Sequence, residues 1–452
     1  MLPDVVLLEI FDFYMDEEPD DEELEAWHTL VHVCRSWRSL VFGSPRRLNL
    51  QLYCTHRTPV RQTLDVWPLL PIVIKVYSVD RWDNGNILAA LEHNDRISES
   101  VMFDIPSSET EKALAALQQP FPALTYLQFQ FETESAPVLP ASFLGGLAPA
   151  LRTLYFDRIP FPGLQKLLLT ATHLLILHLW RIPHSGYISP EAMVTALSVL
   201  TRLDDLEIGF ESPRSHPDRK VRRPPPRTRT VLPVPTLLWF QGASEFLEDL
   251  VARIDVPQLD NLKITFFHQL IFDCPQLTQF ISRTPAFKAH NEARVEFSCL
   301  DVKVTLPQKL GGFLKLGSSC RQSDWQLSYL AQVCSFPLTR ALVSTVEHLY
   351  IQSGYQRPDW QDDIESGQWP DLFQPFAATK KLYISSEFTP RIAPALKELV
   401  GVIEVLPALQ TLFLEDSLEL TSRPVQEAIE EFVGARQLAG HPIRISCWKK
   451  RW

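Results

Sequence analysis

The residue types that usually carry catalysis are scattered along this chain and do not form known motifs. The twelve histidines give neither a His-Glu-x-x-His pattern nor a His-x-Glu pattern with a following cysteine pair. The glycine pairs Gly145-Gly146 and Gly311-Gly312 lack the Lys-Ser/Thr of a phosphate-binding loop, and Gly-x-Ser-x-Gly is absent. The adjacent carboxylates Asp204-Asp205 would point to opposite faces of a strand, as would Asp362-Asp363. The sequence therefore predicts a protein that is not an enzyme and that uses no metal or cofactor.

The seven cysteines also lack the spacing of a metal or redox site, since no Cys-x-x-Cys pair occurs. Their odd number and apolar surroundings indicate free thiols in a reducing compartment, which favours the cytoplasm or the nucleus. The sequence has no run of about eighteen apolar residues that would predict a membrane span, and its N-terminus does not resemble a signal peptide. We therefore expect no membrane association.

The formal net charge of −11 is concentrated in one acidic segment. Residues 16–25 carry eight acidic side chains and no basic one. Residues 214–229, in contrast, carry seven basic side chains and one acidic one. This tract lacks aromatic residues for base stacking and its prolines favour an extended loop, so we interpret it as part of a solvated insertion at about 211–234. A nuclear-import or nucleic-acid patch is the alternative, although nucleic acid is not an expected partner.

The informative residues are instead apolar ones that N-terminal helices must position. A first helix is predicted to begin at Pro3, whose missing N–H needs no partner in a first turn, with Asp4 near the positive end of the helix dipole. The acidic segment then predicts a solvated loop. A second helix is predicted near Trp27, where six residues recur at helical spacing: Trp27, Leu30, Val31, Cys34, Trp37 and Val41.

The first helix is apolar on nearly every side. Its two apolar stripes are Leu7, Phe11 and Tyr14, and Val6, Ile10 and Phe13. A helix that is apolar all round must be buried all round, but a helical segment of about forty residues can hardly bury that surface by itself. We therefore expect another protein to cover part of this helix.

The same residues resemble the F-box, a motif of substrate receptors in cullin–RING ubiquitin ligases. The matching blocks are Leu2-Pro3 with Glu9-Ile10-Phe11, and the run from Leu30 to Arg38; residues 16–25 lengthen the loop between them. The resemblance implies a three-helix hook that binds the Skp adaptor and, through it, a cullin scaffold. Carried over by position, the adaptor-binding residues would be Leu2, Pro3, Leu7, Ile10, Phe11, Val33, Cys34, Trp37 and Val41. The alternative is an ordinary amphipathic helical hairpin packed on the rest of the chain.

A short pattern, apolar-x-x-apolar-x-apolar, recurs after the helical segment. Its first four copies start at Leu124, Leu151, Leu174 and Leu203, which are 27, 23 and 29 residues apart. The later copies, two of them partial, are Leu238/Phe240, Leu259/Leu262/Ile264, Val346/Leu349/Ile351, Leu382/Ile384 and Leu409/Leu412/Leu414. These intervals are similar to those of leucine-rich repeats, although the Asn or Cys that usually follows the strand is not consistent here.

Each copy predicts a short strand followed by a helix or an irregular return, and stacked copies would bury a continuous core and form a parallel sheet. We therefore predict an α/β fold with a three-helix F-box over residues 1–44 and an irregular leucine-rich-repeat solenoid over residues 45–452. The stretch from Phe42 to Pro71 resembles the opening of many fungal F-box proteins, in which a Leu-x-Leu strand, here Leu48-Asn49-Leu50, begins the array. A doubly wound α/β domain is the alternative.

These features favour a substrate-recognition subunit of an SCF-type cullin–RING ubiquitin ligase. The helices would dock the Skp adaptor, and the repeats would hold an unidentified target protein near a ubiquitin-charged enzyme, so that proximity supplies the catalysis. One alternative is a leucine-rich-repeat scaffold that binds proteins outside a ligase, with its helices capping the array. A hydrolase or transferase on an α/β sheet is a more distant alternative. The sequence does not indicate which side chains would bind the target.

Overall fold

A computed structural model describes residues 2–15, 26–55, 60–66, 68–77, 84–132, 136–213, 228–267, 274–288, 290–308, 311–320, 326–354, 368–400, 404–415 and 423–449. The acidic segment 16–25 and nearly all of the basic tract 214–229 lie outside these residues. The chain divides into two compact units: unit 1 comprises Met1–Ile188 and Val199–Leu203, and unit 2 comprises Ser189–Ser198 and Asp204–Trp452. The predicted functional boundary after residue 44 stays a prediction. Among the helices described, none has the length and apolar character to cross a membrane.

Unit 1 begins with three helices, α1 (Asp4–Met15), α2 (Ala26–Val33) and α3 (Arg35–Gly43). The helix predicted to begin near Trp27 is α2, and the apolar residues that recur at helical spacing as far as Val41 are divided between α2 and α3. The helix is interrupted at Cys34, whose backbone is extended (φ −160°, ψ 168°). Its Sγ accepts a hydrogen bond from the Trp37 N–H at 3.4 Å. Cys34 therefore caps α3 by satisfying an N–H that has no partner in the first helical turn.

Six strands of unit 1 pair in parallel and in sequence order. They are β1 (Leu52–Cys54), β2 (Ile72–Val76), β3 (Ile97–Phe103), β4 (Tyr126–Gln130), β5 (Thr153–Asp157) and β6 (Ile176–Ile182). The helices between them are α4 (Val60–Val66), α5 (Asn84–Leu91), α6 (Ser107–Ala116) and α7 (Leu164–Leu168), with 3-10 turns at Phe143–Gly146 and His184–Gly186. The predicted copies at Leu124, Leu151 and Leu174 lead into β4, β5 and β6, so these three strands are confirmed.

The predicted strand Leu48-Asn49-Leu50 is wrong. This segment is a turn in which Asn49 has a φ of +44°, and the Leu48 and Leu50 N–H groups donate to the Ser44 and Pro45 carbonyls. Both leucines are nevertheless buried, so their apolar character reflects packing of the turn and not a strand. The first strand of the sheet starts at Leu52.

The helices of unit 2 are α8 (Pro190–Leu197), α9 (Ser244–Val251), α10 (Pro275–Arg283), α11 (Gln326–Ser335), α12 (Pro337–Val343), α13 (Gln368–Phe373), α14 (Thr389–Glu398) and α15 (Arg423–Leu438), with a 3-10 turn at Pro285–Phe287. The strands are β7 (Asp205–Phe210), β8 (Thr230–Val231), β9 (Leu237–Gly242), β10 (Ile254–Asp255), β11 (Asn261–Phe267), β12 (Glu292–Phe297), β13 (Asp301–Pro307), β14 (Phe313–Ser319), β15 (His348–Ser353), β16 (Lys381–Ile384), β17 (Thr411–Glu415) and β18 (Arg444–Trp448). The predicted copies from Leu203 to Leu414 all fall on or lead into these strands, which confirms them.

The main sheet of unit 2 has the strand order β7-β9-β11-β14-β13-β12-β15-β16-β17-β18. Most neighbouring strands in this sheet are parallel, as predicted. The strands β8 and β10 are also parallel, but they form a separate two-stranded sheet. The repeat pattern did not predict β12, β13 and β14, which pair antiparallel. Short connections explain this, because a parallel neighbour needs a crossover of a dozen residues or more, and only residues 298–300 and 308–312 link these strands.

Burial alternates along the strands, and this alternation defines an inner and an outer face of each sheet. In β4, β5, β9, β11 and β15 the apolar positions of the repeat are almost completely buried, while the residues between them are half-buried. Leu127, Leu154 and Leu177 are each 0% exposed and occupy aligned positions of neighbouring strands. The inner faces therefore form the core, and the outer faces display side chains.

We expect Leu154→Ala to destabilise the chain far more than Thr153→Ala, although the two residues are adjacent. Leu154 lies in the core, so its truncation leaves a cavity that costs about 2–5 kcal/mol. Thr153 lies on the outer face and its loss should cost less than about 1 kcal/mol. Urea unfolding followed by far-UV circular dichroism measures both changes. Equal losses would contradict the assignment of the faces.

Candidate protein-docking surfaces

The first apolar stripe of α1 is the one that holds the N-terminal helices together. Leu7 is 8% exposed, Phe11 is 0% exposed, and Val41 of α3 is also fully buried. The Phe11 and Trp37 rings are 4.8 Å apart between centroids, so they join α1 to α3. Trp27 of α2 contacts Phe42 of α3 edge-on at 5.9 Å. These contacts use one side of α1.

The second apolar stripe of α1 faces solvent. Val6 is 41%, Ile10 47% and Phe13 81% exposed, and Leu2, just before the helix, is 53% exposed. Steps of four and three residues place these side chains on one helical face, away from Leu7 and Phe11. We call Leu2, Val6, Ile10 and Phe13 the outer stripe. Four exposed apolar side chains on one side of the helix make the outer stripe a candidate interaction surface.

The nine residues that the F-box resemblance assigned to adaptor binding divide into two groups. Leu2, Pro3, Ile10, Val33 and Cys34 are exposed, with Val33 57% exposed at the end of α2. Leu7, Phe11 and Val41 are buried, and Trp37 is half-buried against Phe11. In this state of the chain, the second group supports the helices from inside, and only the first group is available for contact.

Three polar contacts fix the helices that carry the outer stripe. Trp27 Nε1 donates to the Gln51 carbonyl at 3.0 Å, just before β1. Across the break at Cys34, Arg38 Nε donates to the Val31 carbonyl at 2.9 Å, and Arg47 pairs with Glu9 on α1. The orientation of α1 is therefore set by the chain that enters the sheet of unit 1.

Sequence reasoning left several exposed apolar residues out of the adaptor-binding set. Val5 is 63% exposed and Tyr14 44% exposed, in addition to Val6 and Phe13. A signal for Val6 and Phe13 was present, because both belong to the second apolar stripe of the helix. The motif positions alone did not include them, and only the packing of Leu7 and Phe11 shows which stripe remains outside.

The outer faces of the sheets are the second candidate surface. In unit 1, Tyr126 and Tyr155 have ring centroids 5.7 Å apart, and Tyr155 contacts Trp180 at 6.0 Å. The Tyr126 hydroxyl donates to Gln128 Oε1 at 2.9 Å, and burial raises the pKa of Tyr126 to about 12, with smaller effects from Tyr155, Glu99 and Tyr77. Next to them, Arg181 forms two hydrogen bonds of 2.6 Å with the Asp157 carboxylate.

The outer face of unit 2 carries both stacked aromatic rings and lysines. Tyr350 and Tyr383 stack at 4.2 Å, and Tyr383 and Phe413 stack at 4.4 Å. Lys263 Nζ lies 4.8 Å from the centroid of the Trp239 ring. These residues occupy the position between the last two apolar residues of the repeat pattern, so the sequence contained a signal for them. Their alignment across strands depends on the register, which the sequence did not provide.

No protein-family model matches the chain, and no curated protein matches it. Among solved structures, a leucine-rich repeat-containing protein from Legionella pneumophila is similar at 12% sequence identity and a TM-score of 0.27, covering 75% of this chain and 91% of that one. The repeating parallel strands of the chain itself establish a mixed α/β fold with a long, mostly parallel sheet in unit 2.

We expect iodoacetamide at pH 8 to alkylate Cys34 and Cys447 in the native protein and to spare Cys320 and Cys334. The first two thiols are exposed and the other two are buried. Burial raises the pKa of Cys320 to about 12 and also raises the pKa of Cys334, so that little reactive thiolate forms. Peptide mass spectrometry measures the modification, and the urea-unfolded chain is the positive control. Alkylation of Cys334 as fast as Cys34 would contradict the packing described here.

Proposed function

We propose that this chain is a substrate-recognition subunit of an SCF-type cullin–RING ubiquitin ligase, acting in the cytoplasm or nucleus. The observation that carries the proposal is the outer stripe of α1, which stays exposed while Leu7 and Phe11 on the other side of the helix are buried. In this proposal the stripe docks the Skp adaptor, as the F-box resemblance implies, together with Val33 at the end of α2.

The size of the outer stripe supports a docking role. The exposed fractions of Leu2, Val6, Ile10 and Phe13 together correspond to about two whole side chains, and burying them would contribute roughly 3–6 kcal/mol. A stable complex needs more than this after the loss of translational and rotational freedom, so additional contacts such as Val33 would have to participate. The stripe would then be the apolar centre of a larger interface.

The repeats would present a target protein in this proposal. Their outer faces display aromatic and charged side chains on closely spaced strands, which suits recognition of another polypeptide. Ubiquitin transfer would then need no reactive group on this chain, because holding target lysines near a charged conjugating enzyme raises their effective concentration. The chain would act as a receptor and not as an enzyme.

We expect the double substitution Val6→Asp/Ile10→Asp to abolish co-purification with a recombinant Skp adaptor. Both side chains are exposed, so two carboxylates there should leave the fold intact but would be buried without partners in the complex. Leu438→Asp is the matched control, since Leu438 is an exposed apolar residue on α15 (91% exposed) and lies outside the outer stripe. Circular dichroism and the thermal midpoint confirm that each variant is folded.

Retention of the adaptor by the double variant, or failure of the wild-type chain to bind it, would overturn the docking assignment. The second result would favour the alternative in which the chain is a repeat scaffold outside a ligase. Trp37 is a less informative position for this test, because its ring packs on Phe11 and its replacement would also disturb the helices.

A further inference from the structure

One row of outer-face side chains crosses eight neighbouring strands of unit 2. The register places these residues opposite one another: Trp239, Lys263, Lys315, Thr305, Arg294, Tyr350, Tyr383 and Phe413. We call them the cation–aromatic row. Seven of the eight are half-buried and Arg294 is exposed, whereas their neighbours along each strand are buried in the core.

At the first end of the row, one of three neighbouring ammonium groups lies outside the ion pairs. Lys315 pairs with Glu296 at 3.7 Å, and Lys303 pairs with Glu296 at 3.9 Å and with Asp301 at 3.6 Å. Among the described residues, no carboxylate forms an ion pair with Lys263, whose Nζ lies over the Trp239 ring. Glu207 of β7, which is in register with Trp239, attracts Lys263 without forming an ion pair with it. Of the three ammonium groups, Lys263 is therefore the one without an ion pair to a described carboxylate.

The surroundings of Lys263 disfavour its charge. Burial lowers the pKa of the Lys263 ammonium, and the Lys315 and Lys303 ammonium groups lower it further, while Glu207 and Asp301 act in the opposite direction. Burial also lowers the pKa of Lys315, with Glu296 opposing it. An additional carboxylate placed between Lys263 and Lys315 would relieve the repulsion between them.

The second end of the row is an apolar platform. The Tyr350, Tyr383 and Phe413 rings are stacked within 8° of parallel, so their faces cover one another. Trp448 packs edge-on against Tyr350 at 6.0 Å and against Tyr383 at 5.7 Å, so the four rings form one aromatic cluster. Arg294 lies over Tyr350 at 5.8 Å, but its charge is already paired with Glu292 at 2.6 Å. This end therefore favours an aliphatic or aromatic side chain over an ion.

We infer that the cation–aromatic row binds an extended acidic segment of a protein, with one Asp or Glu carboxylate between Lys263 and Lys315 and one apolar side chain on the platform. Three strand spacings separate Lys315 from Tyr350, or about 14 Å, which an extended peptide covers in about four residues. The segment would thus carry its acidic and apolar residues about four positions apart. As a description of the ligase target this rests on the proposed function, whereas the binding itself does not.

The charges in and beside the row favour such a segment over a single-stranded nucleic acid. A polyanion would place phosphates near Glu292, Glu296 and Asp301, which lie on the same outer face and would repel them. The stacked rings also leave little ring face on which a base could stack. A segment with one carboxylate brings a single negative charge, which Lys263 can pair with, whereas a nucleic acid brings one charge for every phosphate.

The test is selection of a displayed library of random peptides on the full-length chain, followed by fluorescence anisotropy with the enriched peptide. We expect the enriched peptides to share an acidic residue with an apolar residue about four positions away. Lys263→Gln should weaken binding about 5- to 30-fold, the range between exposed and desolvated ion pairs. The control is Lys397→Gln, because Lys397 is exposed and pairs with Glu431 at 2.9 Å outside the row. The affinity of this variant for the peptide should differ from that of the wild-type chain by less than about twofold.

Changing the peptide in place of the protein gives a second test that does not depend on whether a protein variant folds. Replacing the acidic residue of the peptide by Gln should weaken binding to the wild-type chain and have little further effect on Lys263→Gln. Enriched peptides without acidic residues, equal binding by Lys263→Gln and wild type, or displacement of the peptide by oligouridylate would each overturn the inference. This test does not involve the adaptor. If the chain binds the acidic peptide but not the adaptor, the inference is supported and only the proposed ligase role is lost.

Discussion

The N-terminal helices depend on one constraint: α1 is apolar on nearly every side, but α2 and α3 cover only the side that carries Leu7 and Phe11. Phe11 is completely buried against Trp37, and this packing fixes the rotation of the helix about its axis. Once that rotation is fixed, Val6, Ile10 and Phe13 must point outward, because helical periodicity leaves them no other direction. The exposed surface is thus a consequence of how the three helices pack, and it is the surface on which the proposed docking of an adaptor depends.

The strands also separate buried from displayed side chains, but successive residues of a strand alternate between the two faces, whereas positions on a helix recur every 3.6 residues. Leucines such as Leu154 and Leu262 fill the inner face, and the residues that alternate with them are displayed on the outer face. The repeat pattern therefore specifies both the buried core and the displayed side chains within the same few residues of each strand. In unit 2 the strand register aligns side chains from different strands, such as Lys263 and Lys315, so that they form one surface.

The sequence was sufficient for the features that depend on local periodicity. All nine copies of the repeat pattern correspond to strands, and the apolar stripes of α1 were visible from residue spacing alone. It was insufficient where long-range pairing or local capping decided the outcome. The break at Cys34 depends on a hydrogen bond to the Trp37 N–H, the antiparallel strands β12 to β14 depend on short connections, and the alignment of Lys263 with Tyr350 depends on register across five strands.

Hydrogen–deuterium exchange of α1 with and without the Skp adaptor tests the central claim most directly. If the adaptor covers the outer stripe, amides of peptides within residues 4–15 should exchange markedly more slowly in its presence, while those of a strand in unit 2 such as β11 should be unchanged. Unaltered exchange across α1 at saturating adaptor would contradict the claim that this helix exists to be covered by another protein.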